Sequence, residues 1–206
     1  MNLYERHLLP HLTHCVCGSP VMAHQRRRVV PGASGQVLEI GFGSGLNLPF
    51  YDRTKVRRLW ALEPSPEMRA LAAPRIEASG LDVHLLELPG EAVPLPDQSV
   101  DSVVVTFTLC TIPDAAAALG QIRRVLRPDG RLLFCEHGAA PTPGVRRWQD
   151  RLNGVWGALA GGCNLNREMA PLIEDAGFRF DEVRSAYVPR TPRFLGYNTW
   201  GVARPR

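Results

Sequence analysis

A chain of 206 residues, 45% hydrophobic and 21% charged, is long enough to bury one full core and has an ordinary globular composition, so a single domain over 1–206 is expected. The net charge of +4 is carried by arginines scattered in pairs and triplets, which speaks for solvated surface and against a nucleic-acid track. Five dispersed cysteines suit reduced thiols in a cytoplasmic setting better than a disulfide framework, and no apolar stretch is long enough to span a bilayer or to serve as a secretory leader.

Residues 1–29 read as two short amphipathic helices, from the spacing of Leu3, Leu8, Leu9 and Leu12, with a break near Gly18 to Pro20. Such a segment could cover a ligand, so 1–30 is expected to act as a helical lid. His11, His14, Cys15 and Cys17 have no recognised zinc spacing, and no metal is expected there. Arg26, Arg27 and Arg28 read as a solvated helix end, with peripheral contact to a membrane surface as the alternative.

The stretch 37–47, VLEIGFGSGLN, organises the rest of the chain. Val37, Leu38 and Ile40 make a short buried parallel strand that runs into Gly41, Gly43 and Gly45, where missing side chains let the backbone turn sharply and approach a ligand. A helix is expected to begin over 46–52. Leu46 stands where a dinucleotide fingerprint requires its third glycine, and Glu39 would repel a pyrophosphate while attracting an amine or sulfonium. S-adenosylmethionine carries both groups. At these residues the sequence resembles the class I S-adenosylmethionine-dependent methyltransferases, whose first motif has the same acid-x-Gly-x-Gly-x-Gly form.

The second strand, 58–62, ends at Glu63, about twenty residues beyond the glycines, where a carboxylate can accept from both ribose hydroxyls. Pro64, Ser65 and Pro66 open a helix through Ser79, closed by Gly80. A third strand over 82–88 precedes the turn Pro89–Ala92, and the resemblance implies that Glu91 and Ala92 meet the adenine. Asp101 leads Val103, Val104 and Val105 into a buried fourth strand ending at Thr106 and Phe107. Pro64 and Thr106, at strand ends, complete the expected cofactor set; Phe107 and Cys110 fall on the acceptor side. Thr106–Leu109 has neither the polar-Pro-Pro-aromatic tetrapeptide nor the Pro-Cys nucleophile of the DNA methyltransferases, so no nucleic-acid partner is expected.

Asp114 caps an alanine-rich helix to Leu126, and Arg127–Gly130 should turn into the fifth strand, Leu132 to Glu136. Strands and helices alternate to this point, which implies a doubly wound sheet with its ligand at the strands' carboxyl ends. Residues 137–165 are expected to form a substrate cap, with Trp148, Leu152, Val155, Trp156 and Leu159 on one helical face and Trp148 and Trp156 as an apolar roof over the acceptor. A helix over Asn166–Ala176 and two antiparallel strands at about 179–188 and 196–203 complete a mostly parallel seven-stranded α/β sheet with one antiparallel edge strand.

A narrower likeness lies in EHGAAPTPGVRRWQD, GCNLNRE and GYNTWGVA, which is similar to the branch of alkyl thiol methyltransferases and their bacterial relatives. This sequence departs from the animal members in showing no apolar N-terminal anchor and in having Asn153 and Gly161 where acids are expected. The likeness implies methyl transfer to a small acceptor, a thiol or hydrogen sulfide, with phospholipid amines and quinone precursors as alternatives; it brings in His137 as a base for the thiol and Asn164 as an acceptor contact. Readings from other classes are a nicotinamide-dependent oxidoreductase, disfavoured by Glu39 and Leu46, and a binding protein without turnover. The sequence does not set the oligomeric state.

Overall fold

The computed structural model describes residues 3–206. Seven strands, β1 (Gly35–Ile40), β2 (Val56–Leu62), β3 (Val83–Leu86), β4 (Val100–Thr106), β5 (Leu126–His137), β6 (Phe178–Tyr187) and β7 (Tyr197–Pro205), form one sheet in the order β3-β2-β1-β4-β5-β7-β6. β1 pairs in parallel with both β2 and β4, while β7 runs antiparallel between β5 and β6. The chain leaves β1 toward β3 and returns at β4, so the strand order reverses there and the carboxyl ends of β1 and β4 open a crevice.

Both faces of the sheet are covered. Leu38, Ile40, Val103, Val105 and Phe134 point to one face, against Leu119 and Ile122 of helix α5 (Ala115–Val125) and Ile173 of α7 (Met169–Asp175). Their neighbours Val37, Val104 and Leu133 point to the other, against Ala72 of α4 (Pro66–Ser79) and Val30. The alternation is the strand's two-residue period, and burial on both faces is why the central strands read as unbroken apolar runs. Ser65 caps α4 by accepting from the Met68 amide at 3.2 Å, Gly80 ends it at φ +65°, and Asp114 caps α5 through the Ala117 amide at 2.9 Å, all as their positions predict.

Four local expectations change. The helix expected from 46–52 is only a 3₁₀ turn, Leu48–Phe50, because Pro49 interrupts the run and Asn47 and Tyr51 turn inward. The N-terminal segment breaks at Gly18–Pro20 but holds three helices, not two: α1 (Leu3–His7), α2 (Leu9–Cys17) and α3 (Pro20–Arg26). Residues 127–130 do not separate α5 from the fifth strand; they bulge within β5, where Val100 pairs with Leu126 but Ser102 with Arg131. α7 starts at Met169, not Asn166, because Arg167 turns back to donate to the carbonyls of Leu109 and Ile112, and Asn166 donates to Asp150 at 2.9 Å.

Candidate active site

The crevice holds a cavity of about 440 Å³. Its floor is the glycine loop. Gly41 sits at φ +70°, and a Cβ there would come within 2.2 Å of Thr108 Oγ1, so only glycine lets the β1 and β4 loops meet. The Gly43 amide donates to Glu63 Oε2 at 2.8 Å, and the Ser65 amide to Glu63 Oε1 at 2.9 Å. Two backbone amides thus aim the carboxylate at the end of β2, where it lines the cavity with lone pairs to spare.

Glu39 lies beneath the loop, 1% exposed, yet still on the cavity wall. Asn47 Nδ2 donates to Oε1 at 2.9 Å and Tyr51 Oη to Oε2 at 2.6 Å. Burial pushes its carboxyl up to about 7, against the opposing pull of those two donors and of Arg26. A carboxyl so balanced gains much from a cation placed beside it. Burial also raises Glu63, its amide donors and Arg69 offsetting part of the rise.

The roof comes from the N-terminus. Leu9, Pro10, Thr13, His14 and Cys17 of α2 line the cavity with Arg26 of α3. Arg26 is 4% exposed; Nη1 donates to Cys17 O at 2.6 Å, the guanidinium carbon lies 5.3 Å from the Phe107 ring centroid, and Nε has no partner. A buried guanidinium with an unused donor faces the same cavity as buried Glu39, the arrangement that recognises an α-amino acid by its two charges. Phe107 holds φ +56°, outside the usual range for a residue with a Cβ, and its amide is fixed to Cys135 O at 2.9 Å.

His14 Nδ1 lies 2.6 Å from Ser44 Oγ and Nε2 3.4 Å from Arg75 Nη2. Desolvation, then the charges of Arg75 and His11, lower its pKa, so it stays neutral at pH 7.

Comparison with known proteins decides the class. A methyltransferase domain family model matches residues 38–134, the run from β1 into β5. Human thiol S-methyltransferase TMT1B is 35% identical over 170 residues, which are 80% of this chain and 68% of that protein. Human thiol S-methyltransferase TMT1A is 31% identical over 187 residues, 84% of this chain and 72% of that one. The chain belongs to the S-adenosylmethionine-dependent methyltransferases. The fold agrees: a methyltransferase structure from Bacillus halodurans C-125 superposes with a TM-score of 0.72 at 16% identity, covering 89% of this chain and 98% of that one.

In this methyltransferase the cavity is lined by six of the residues singled out from sequence: Glu39, Gly41, Gly43, Glu63, Thr106 and Phe107. The others stand elsewhere. Gly45 packs beside Leu48 with φ +74°, and exposed Pro64 uses its carbonyl to accept from Arg69 at 2.9 Å. Glu91 accepts the Asp114 amide at 3.3 Å, and exposed Ala92 donates to Pro89 O at 3.0 Å; neither lines the cavity. Asn164 clasps Cys110 O through its amide at 2.8 Å and its Nδ2 at 3.0 Å.

The two tryptophans do not roof the cavity. Both lie on α6 (Pro143–Leu159), where Trp148 is 58% exposed beside Arg151 and Trp156 packs on the core; only Ala160 and Gly161, just past the helix, reach the lining. His137 is likewise absent from it. Its Nε2 lies 2.8 Å from Cys163 Sγ, and Cys163 Sγ lies 3.7 Å from Cys110 Sγ. Burial drives the His137 pKa down, but Cys163 and buried Glu136 outweigh it and the net shift is upward.

The sequence does not single out Arg26, His14, Asn47 or Tyr51 as site residues. Asn47 and Tyr51, eight and twelve residues after Glu39, are within reach of the rule that a buried carboxylate needs donors. Arg26 and His14 carry no local signal. No helix among the described residues is long and apolar enough to cross a membrane.

Proposed function

We propose that this methyltransferase moves the methyl group of S-adenosylmethionine onto a small thiol or hydrogen sulfide. The carrying observation is that the likeness to the two human thiol S-methyltransferases spans at least 80% of the chain, well beyond the residues 38–134 that match the general domain. It therefore takes in segments outside the shared core, where acceptor specificity is built.

In this reading Glu39 takes the ammonium of the cofactor's amino acid, Arg26 its carboxylate and Glu63 the ribose hydroxyls. Gly41 and Gly43 let the backbone lie against the cofactor, and Thr106 flanks it; Glu91 and Ala92 can meet the adenine only where it extends beyond the lined cavity. α1–α3 act as the lid. The sulfonium methyl is already activated, so the chain's main task is to hold the sulfur in line and exclude water, with Phe107, Leu9 and Pro10 as apolar walls.

A thiolate attacking a sulfonium disperses charge, which apolar walls favour. The thiol must first lose its proton. His14, neutral and on the cavity wall, can accept it at Nε2 once that nitrogen gives up its long contact with Arg75; His137 is not on that wall. A thiol as acidic as a cysteine side chain, with a pKa of about 8.5, is ionised to roughly one part in thirty at pH 7, so for such an acceptor a base can contribute about thirty-fold, and less for a more acidic one.

The test is S-adenosylhomocysteine release with sodium sulfide or an alkyl thiol, comparing His14→Gln with His137→Gln. Loss of about ten-fold at pH 7 in His14→Gln, recovered at pH 9, supports His14 as the base. The same loss at both pH values removes it from that role. Release with a phospholipid amine or a quinone precursor but not with thiols would discard the acceptor.

A further inference from the structure

Cys110, His137 and Cys163 come from three separate segments: the loop after β4, the end of β5 and the loop after α6. The fold brings their ligand atoms within 4.8 Å of one another. Both cysteines are buried and reduced. We propose that these three side chains form a binding site for one zinc-class ion, with a fourth coordination position left open.

The donor set fits such an ion. Two sulfurs and one imidazole suit a borderline-soft divalent metal, and three protein ligands with a vacancy is a common pattern for zinc that is not purely structural. The spacing fits as well. Two thiolates on a tetrahedral zinc, with bonds of about 2.3 Å, stand about 3.8 Å apart. Cys110 Sγ and Cys163 Sγ are at 3.7 Å. The imidazole is closer to Cys163 than a shared ion allows, 2.8 Å against about 3.5 Å, and the three ligand atoms spread over as much as 4.8 Å, so His137 must turn away from Cys163 and toward Cys110 to take the ion.

The neighbourhood of the ring points the same way. His137 Nδ1 is buried without a partner, and a metal-bound histidine needs an acceptor for its other nitrogen. Asn198 stands directly opposite His137 in the antiparallel β5–β7 ladder, so the two side chains share a face, with Cβ atoms about 5 Å apart. Asn198 is 1% exposed, and both of its amide atoms are also unpartnered. Asn198 Oδ1, unpartnered on the same face, is the acceptor that Nδ1–H would take when Nε2 turns to the ion.

Charge balances too. Two thiolates neutralise a divalent ion, so the occupied site places no net charge in the interior. Binding displaces one proton from each cysteine, and affinity must rise with pH. Cys110 Sγ lies 3.5 Å from the hydroxyl of Thr111, a residue of the cavity wall, so the ion would sit one side chain away from the active site and pin the 160–165 loop to the ends of β4 and β5.

The probe is cobalt(II) chloride titrated into the reduced 206-residue chain, read as thiolate-to-cobalt absorption, followed by displacement with zinc chloride. The expected result is one equivalent bound, tighter at pH 8 than at pH 6, with zinc shielding two thiols from a maleimide. Cys163→Ser and Cys110→Ala should abolish the band, and Asn198→Ala should weaken binding by about ten-fold. Cys15→Ser should leave the band intact. Should a variant lose its far-ultraviolet dichroism, thiol shielding in the unmodified chain decides alone. No band and no shielding would overturn the site, as would a Cys110–Cys163 disulfide forming in air faster than zinc binds.

Discussion

The two ends of the cavity are built differently. At the cofactor end, Glu39, the glycine loop and Glu63 lie within 25 consecutive positions running from β1 to the end of β2, and their partners are backbone amides or side chains from the same stretch or just beyond it. At the roof and in the packing behind the wall, contacts join distant segments: His14 to Ser44 and Arg26 to Phe107 on the cavity, Asn164 to Cys110 and His137 to Cys163 behind it. Groups of the first kind are held by short loops and ladder register and tolerate change at the roof. Groups of the second kind depend on packing. Binding of the cofactor should therefore fail through local changes near β1, whereas acceptor selection should respond to changes far apart in sequence.

The largest effect is expected at Gly41. Valine there would meet Thr108 in a left-handed backbone position, and S-adenosylmethionine affinity should fall by about 100-fold or more by calorimetry. Affinity kept within a few-fold would show that the two loops need not touch. Next, in its proposed ribose role Glu63 accepts from two hydroxyls, so Glu63→Ala should lower S-adenosylmethionine affinity by about 10–100-fold. A matching loss for a cofactor analogue lacking both ribose hydroxyls would contradict the assignment to ribose.

Arg26→Met probes the roof's share of cofactor binding and should weaken it by about ten-fold while leaving decarboxylated S-adenosylmethionine unaffected. An equal loss for both ligands would mean that Arg26 acts by packing alone.

Glu39 gives a pH test. Its folded carboxyl titrates at about 7, above its ordinary 4.5, so below 7 it keeps a proton that the unfolded chain has released. Stability and binding then respond with opposite sign. The ligand-free chain should lose stability as pH rises from 4.5 to 7, because over that range the unfolded chain releases the proton while the folded chain still holds it, and the loss levels off above 7. A cation beside Glu39 needs the ionised form, so S-adenosylmethionine affinity should rise by about ten-fold between pH 6 and 8. Glu39→Gln should flatten both profiles; a binding profile already flat in the unmodified protein would place the cofactor's ammonium elsewhere.

The smallest effect is expected at Trp148. Exposed and off the cavity, Trp148→Ala should leave KM for the acceptor within about two-fold, and a larger change would restore the tryptophan roof.

Legibility in the sequence divides along the same line. Glu39, Gly41, Gly43 and Glu63 are legible because their chemistry and spacing lie in one short stretch, and the valines of β4 because burial on both faces removes polar residues from a strand. The turn Leu48–Phe50 reads as a helix because only the fold shows that Asn47 and Tyr51 are spent on Glu39. Trp148, Val155, Trp156 and Leu159 share helical spacing, which predicts one buried face, but Trp148, Val155 and Leu159 are exposed and only Trp156 packs on the core. Cys110, His137 and Cys163 follow no ligand spacing, since 27 and 26 residues separate them in the chain; the pairing of β4 with β5 and the hydrogen bonds of Asn164 to Cys110 bring them together.

Methyl transfer to a thiol, from a cofactor held between Glu39, Arg26 and Glu63, is tested most directly by S-adenosylhomocysteine release. The purified chain is given S-adenosylmethionine with and without sodium sulfide or a short alkyl thiol. Release should depend on the thiol, yield the methyl thioether in equal amount and be lost in Glu63→Ala. Tight cofactor binding without thiol-dependent release would contradict thiol methylation.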